Sequence, residues 1–372
     1  MPTRQVCADL GLILANIGYQ ATRVGILAAC KLGIMDISVV AAAREDDAPP
    51  LEVLKIATTA DRLGYREAWI GEGPTWDAFV LATAIGMRTS TIALTAGPVS
   101  VHVRDPFSNA RGASNAAALA GRPVGVALGT SSTRVVEGVH GRPRVRPVAA
   151  LADSAAVVKD LLGPRAGEAS ARLAAQGFGW RLPPGGGRLT VAAFGERSVE
   201  VAVRHADRML ADLVSPDQVR VLRERRDAAA ARAGRDAPPL AAWIPAAVDP
   251  TPLDYEQIMC SIVGYLTVRG YSDMFADAGF GDAVAAARDG ATSGELLRML
   301  PHEAAATVGL VGDADVVRAR LDAYAAAGLD EIAIFPATAG DPGGERTLTA
   351  LAETRLRWER QSDANELFIA RP

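Results

Sequence analysis

Few residues in this chain combine a reactive side chain with a neighbourhood that would put it to work. Glu72 and Trp76 stand in the run Gly71-Glu72-Gly73-Pro74-Thr75-Trp76, just past a short β-branched segment. A carboxyl half-buried beside an apolar ring system holds its proton more readily and can donate it near neutral pH, which makes Glu72 the first candidate acid. The competing reading is a rim salt bridge. His102 follows the next such segment closely enough to face a ligand, whereas His205 lies within a helical stretch and His140 and His302 fall in loops. His302 either lines a substrate entrance or is simply solvated. No two histidines fall at metal-ligand spacing, so no metal is expected. Phe194-Gly195-Glu196-Arg197-Ser198, preceded by Ala193, closes a strand-like run and opens a helix. Free N–H groups, the positive helix end, close backbone approach at Gly195 and the charge of Arg197 suit that turn to an anion. Gly129-Thr130-Ser131-Ser132 is a second, less specific hydroxyl-rich turn. Trp243 and Tyr265 either wall a substrate pocket or pack in the core.

Those residues need a scaffold that gathers strand ends. From Met35 onward, β-branched runs alternate with Ala-rich helical stretches, the pattern of β/α repeats on a parallel sheet. The strand candidates are 36–41, 67–70, 91–96, 124–128, 189–193, 209–214, 240–247 and 331–335. Residues 51–63 place Leu51, Leu54, Ile56, Ala57, Ala60 and Leu63 near one helical face before Gly64, and Pro106 and Pro147 open two further helices. Eight repeats without a GxGxxG turn after the first strand predict an α/β fold closed as a (β/α)8 TIM barrel rather than an open sheet. The active site of such a barrel lies at the C-terminal strand ends. Residues 252–314 are long for one connection and read as a helical insertion before the last strand; 163–187 is the most loop-like stretch.

The chain has 372 residues, 49% hydrophobic and 22% charged, enough for one large domain with a full core. A net charge of −4 with scattered basic residues excludes a nucleic-acid footprint. Cys7, Cys30 and Cys260 form neither a disulfide framework nor a metal motif, and a reducing cytoplasm is the expected compartment. Arg4, Asp9, Asn16, Arg23 and Lys31 interrupt the apolar first 34 residues, so no membrane span is expected there. Residues 1–34 read as an N-terminal extension and 35–372 as the barrel domain.

Three stretches in order, ADRLGYREAWIGEG at 60–73, IALTAGPVSVHVRDP at 92–106 and GRPVGVALGT at 121–130, resemble the luciferase-like flavin and deazaflavin enzymes. The run from Gly309 to Thr338 is similar to the last repeat of that superfamily, and the likeness extends from Met35 to about Leu351. The resemblance implies a bound flavin-type cofactor, coenzyme F420 with FMN as the alternative, and hydride transfer to a small molecule or modified peptide. It also implies a homodimer. Such enzymes carry a cis peptide or bulge behind the cofactor ring at the end of the third strand, here Ala96-Gly97-Pro98, and hold the cofactor phosphate with segments similar to 191–198. Deazaflavin-dependent relatives often place a histidine after the acidic residue of the second strand. Gly73 stands there instead, which leaves the identity of the acid open between Glu72 and His102. A barrel that binds a cofactor without turning over is the remaining alternative.

Overall fold

The computed structural model describes residues 35–354 apart from 47, 50, 165, 166 and 269. The stretch 1–34, expected as an extension, lies outside the described residues. Strands and helices alternate as β1 (Asp36–Ala41), α1 (Glu52–Arg62), β2 (Glu67–Ile70), α2 (Ala78–Gly86), β3 (Ala93–Ser100), α3 (Pro106–Ala120) and β4 (Val124–Gly129). They continue as α4 (Pro147–Leu162), α5 (Glu168–Ala175), β5 (Gly186–Ala192), α6 (Glu196–His205), β6 (Arg208–Asp212), α7 (Pro216–Ala233) and β7 (Leu240–Val248). After β7 come α8 (Pro252–Val263), α9 (Tyr271–Phe275), α10 (Gly281–Arg288), α11 (Ser293–Met299) and α12 (Glu303–Val308). The described chain ends with β8 (Leu310–Gly312), α13 (Ala314–Ala326), β9 (Glu331–Pro336) and a helix over 345–354.

Every strand pairing is parallel, and the order β6-β5-β4-β3-β2-β1-β9-β7 closes on itself through β6 and β7. This is the expected (β/α)8 barrel. The ninth strand, β8, was not expected: it lies inside the stretch read as helical insertion, and its three residues pair with Ala246–Val248 at the far end of β7. Three apolar residues carry too little periodicity to separate a strand from a helix end. Residues 163–187 are likewise less loop-like than expected. Helix α5 forms there because its Ala-rich sequence favours helix and Asp160 accepts from the backbone N–H groups of Gly167 and Ser170 at 2.8 and 2.9 Å.

Outward strand residues pack under the helices in the main apolar cluster. Inside the barrel the lowest layer is polar. Arg208, fully buried, donates to Glu67 at 2.7 and 2.8 Å and to Glu331 at 2.6 Å, while Ser38 and Trp69 also donate to Glu331. One guanidinium cannot neutralise two carboxylates equally. Burial raises both, but for Glu67 the Arg208 hydrogen bonds and charge prevail and its pKa falls, whereas Glu331 stays raised. Above this layer an apolar one, with Val40, Trp69, Ala127, Leu210, Trp243 and Ala333, seals the barrel floor.

Candidate active site

Strand alternation decides what reaches the barrel mouth. On β6, Arg208 and Leu210 point inward while Met209 and Ala211 join the outer core, so Asp212 ends the inward column. Side chains deep in the barrel are dry, yet Ala42, Ala192, Pro98, Asp212 and Phe335 at the strand ends keep partial contact with water. The mouth is therefore open. Trp243 lies at the floor beneath it, 8% exposed, edge-on to Trp69 at 6.1 Å and to Phe335 at 6.3 Å, and its buried indole Nε1 has no hydrogen-bond partner.

The β3 bulge forms where expected. Gly97-Pro98 is cis, and the register to β4 slips between Ala96 and Val99. Gly97 has φ +106°, and a Cβ there would stand 2.4 Å from the Ala127 carbonyl oxygen, so only glycine fits. A Cβ on Gly129 would come within 3.5 Å of Pro98 and 3.6 Å of Ala192. Pro98, Gly129 and Ala192 thus form a ledge of small groups across β3, β4 and β5. Ala96 itself is buried in the outer core and only carries the bulge. Beside the ledge, Arg144 donates to the Thr130 hydroxyl at 3.1 Å and the Ser131 carbonyl at 2.9 Å. His102 lies within the field of Arg144; burial first, then that charge, holds its imidazole below the ordinary range, and its buried Nε2 has no partner.

At the end of β5, Ala193 continues the ladder by donating to the Leu210 carbonyl at 3.0 Å. Gly195 is the N-cap of α6 and supplies no side-chain cap. The Ser198 hydroxyl donates to the Gly195 carbonyl at 2.7 Å and accepts from the Phe194 N–H at 3.2 Å, so it shapes the turn from within. Arg225 on α7 clamps the Phe194 carbonyl at 2.6 Å. Arg197 is exposed and has no charge partner within 4 Å among the described residues. The anchored turn, the helix start without a side-chain cap and the exposed Arg197 stand together at the end of β5.

The β2 end differs from expectation. The Glu72 carboxylate accepts from the Ala78 N–H at 2.7 Å and stands 3.6 Å from Arg104, which also holds Asp77 at 2.5 Å. Its partners are the amide at the start of α2 and the Arg104 guanidinium, which is the rim salt bridge. The ring of Trp76 packs against the outer core. His302 is exposed and stacks on Tyr255 of α8 with centroids 4.3 Å apart; among the described residues it has no hydrogen bond or ring contact with a mouth residue.

Tyr265, just past α8, does reach the strand ends: its hydroxyl donates to Asp212 at 2.6 Å. Burial pushes the Asp212 pKa from 3.8 up to about 6. Sequence reading missed Asp212 because its segment looked like one long strand to Val214, which hid the strand end that the closing-residue rule selects. Among the described residues no group of three or more His, Cys, Asp or Glu side chains could hold a metal, and no helix is long and apolar enough to cross a membrane.

No curated protein matches the chain. Among solved structures it is similar to the coenzyme F420-dependent tetrahydromethanopterin reductase of Methanopyrus kandleri, at 16% identity and TM-score 0.67 over 86% of this chain and 98% of that one. It is also similar to an F420-dependent secondary alcohol dehydrogenase in complex with an F420-acetone adduct, at 15% identity and TM-score 0.64 over 86% and 98% of the chains. A third similar structure is the oxygenating constituent of 3,6-diketocamphane monooxygenase from Pseudomonas putida in complex with FMN, at 16% identity and TM-score 0.59 over 86% and 98%. These likenesses establish the barrel. The luciferase-like monooxygenase family matches residues 30–331, and the chain belongs to that family.

Proposed function

We propose that this chain is an F420-dependent reductase that adds hydride to an activated C=C or C=N bond of a small molecule or modified peptide, as in natural-product tailoring. The observation that carries the reading is the ledge of Pro98, Gly129 and Ala192 leading toward the uncapped α6 start and Arg197. A flat ring fits against side chains of one carbon or a pyrrolidine. A phosphate fits the Gly195–Arg197 amides, and the free Arg197 offers it a counter-charge. The orphaned Nε2 of His102 and Nε1 of Trp243 are buried polar atoms at the mouth and its floor with hydrogen-bonding capacity to spare, as a site built for a polar ligand would have.

When bound, the reduced deazaflavin supplies the hydride. The protein then has to exclude water from the floor, where Trp69, Trp243 and Leu210 already do so, and to orient the acceptor between the β3 bulge and the insertion. His102 is neutral near pH 7 by its environment and is placed to hydrogen-bond ligand atoms rather than to carry charge. Exposed Val80 on α2, Met87 just past its end and Leu119 on α3 are apolar groups available to a homodimer contact.

Titration of the protein with F420 and separately with FMN, followed by tryptophan quenching, tests the reading. Micromolar F420 binding with weak FMN binding is expected. The reverse order overturns it in favour of an FMN-dependent monooxygenase, and binding of neither removes the support for an enzyme.

A further inference from the structure

The mouth holds one carboxyl that the family resemblance does not assign. Asp212 ends the inward column of β6 and stands opposite Trp243 in the β6–β7 register. The chain turns at once after it: Leu213, although not glycine, has φ +48° and donates its N–H to the Trp243 carbonyl at 3.1 Å. A non-glycine residue in the left-handed region costs about 1 kcal/mol or more and persists where the surroundings impose it. Here they aim one carboxyl.

The insertion covers that carboxyl from the other side. Tyr265 donates to it at 2.6 Å, Tyr271 lies against the Asp212 backbone, and the rings pack as Tyr265 on Tyr271 at 4.8 Å and Tyr271 on Phe194 at 4.5 Å. Tyr265 and Tyr271 are the titratable groups facing Asp212. No Lys or Arg pairs with it among the described residues. Contrast Glu72, Asp77, Glu67 and Glu331, each held near or against an arginine.

We infer that Asp212 is the proton donor of the reaction and that Tyr265 is its positioning residue, the insertion thereby completing the acid. The inference rests on the reductase reading. Hydride bonds to one carbon of the acceptor, the π bond breaks, and its electron pair takes the proton from Asp212 Oδ as a new C–H or N–H bond forms. The deazaflavin is oxidised and the acceptor reduced. Asp212, left as a carboxylate, keeps the Tyr265 hydrogen bond and regains a proton from water at the open mouth. Burial supports this, since it raises the carboxyl pKa to about 6, where both protonation states are accessible. The Tyr265 phenol, raised well above its usual value first by the Asp212 charge and then by burial, stays a donor throughout.

The test follows tryptophan fluorescence of the cofactor-free full chain against pH, with Trp243→Phe identifying the reporter beside Asp212. A transition near pH 6 is expected in the wild type, absent in Asp212→Asn and moved upward in Tyr265→Phe, which removes a donor to the carboxylate. In parallel, oxidation of reduced F420 by cyclohexenone is followed against pH. Asp212→Asn is expected to bind F420 with unchanged affinity yet lose about 100-fold or more in turnover, and Tyr265→Phe to shift the pH profile. No transition in the wild type, or Asp212→Asn turning over with the wild-type pH limb, overturns the inference. If F420 does not bind or is not oxidised, the reductase reading fails on its own, and the fluorescence titration still decides whether the carboxyl is poised.

Discussion

Arg208 lies over Trp69, its guanidinium carbon 3.8 Å from the ring centroid, while its nitrogens bridge Glu67 and Glu331. Removing the cation strands two buried carboxylates, and breaking a buried pair in this way costs roughly 3–5 kcal/mol. Arg208→Ala should lower the urea midpoint accordingly. Adding Glu67→Gln and Glu331→Gln to Arg208→Met should recover most of the loss, because no buried charge then remains. A triple variant as unstable as Arg208→Ala would mean that ring stacking, not charge balance, governs this layer.

Gly97→Ala is expected to be the most damaging change on the β3 ledge. Its Cβ would meet the Ala127 carbonyl oxygen at 2.4 Å with φ at +106°, and strain plus displaced backbone costs on the order of 2–4 kcal/mol. Thermal denaturation and F420 titration should both suffer, since the ledge and the β3–β4 ladder share that backbone. Unchanged melting would show that the bulge relaxes freely.

Arg197→Ala should weaken F420 binding about tenfold at low salt, the worth of one charge-assisted contact, with the difference shrinking as salt rises. Inorganic phosphate should compete with the cofactor in the wild type and much less in the variant. Arg225→Ala acts differently: it frees the Phe194 carbonyl, so it should reduce affinity with little salt dependence. Identical salt slopes for the two variants would undo the assignment of Arg197 to the phosphate.

Asp212 makes stability depend on pH with a definite sign. Its folded pKa, about 6, exceeds the ordinary 3.8 because the carboxyl is buried, so the folded state binds this proton more tightly than the unfolded chain. That stabilisation is complete below about pH 4 and lost as pH rises through about 6. Asp212→Asn should therefore gain about 3 kcal/mol at pH 7 and little at pH 4. Urea denaturation at the two values checks it, and an equal gain at both would point to packing rather than ionisation.

Much of the barrel is legible because strand and helix periods are local. Residues 36–41, 67–70 and 240–247 alternate with helical stretches, and Pro106 and Gly64 mark a helix start and a helix end through their own backbone preferences. The α6 start is readable for the same reason, because Gly195 and the run after it act where they stand, whereas the β3 bulge was an expectation from the family resemblance. β8 was not readable, since its three residues become a strand only by pairing with β7. Glu72 and Asp212 show the limit most plainly. Both are carboxylates beyond a strand, yet Arg104 reaches Glu72 from thirty-two residues along the chain while Tyr265 reaches Asp212 from the insertion. The sequence by itself determined the repeat and the barrel. Only the tertiary structure decided which carboxyl is neutralised by a cation and which is left buried and protonatable, because burial and charge pairing are properties of distant residues brought together.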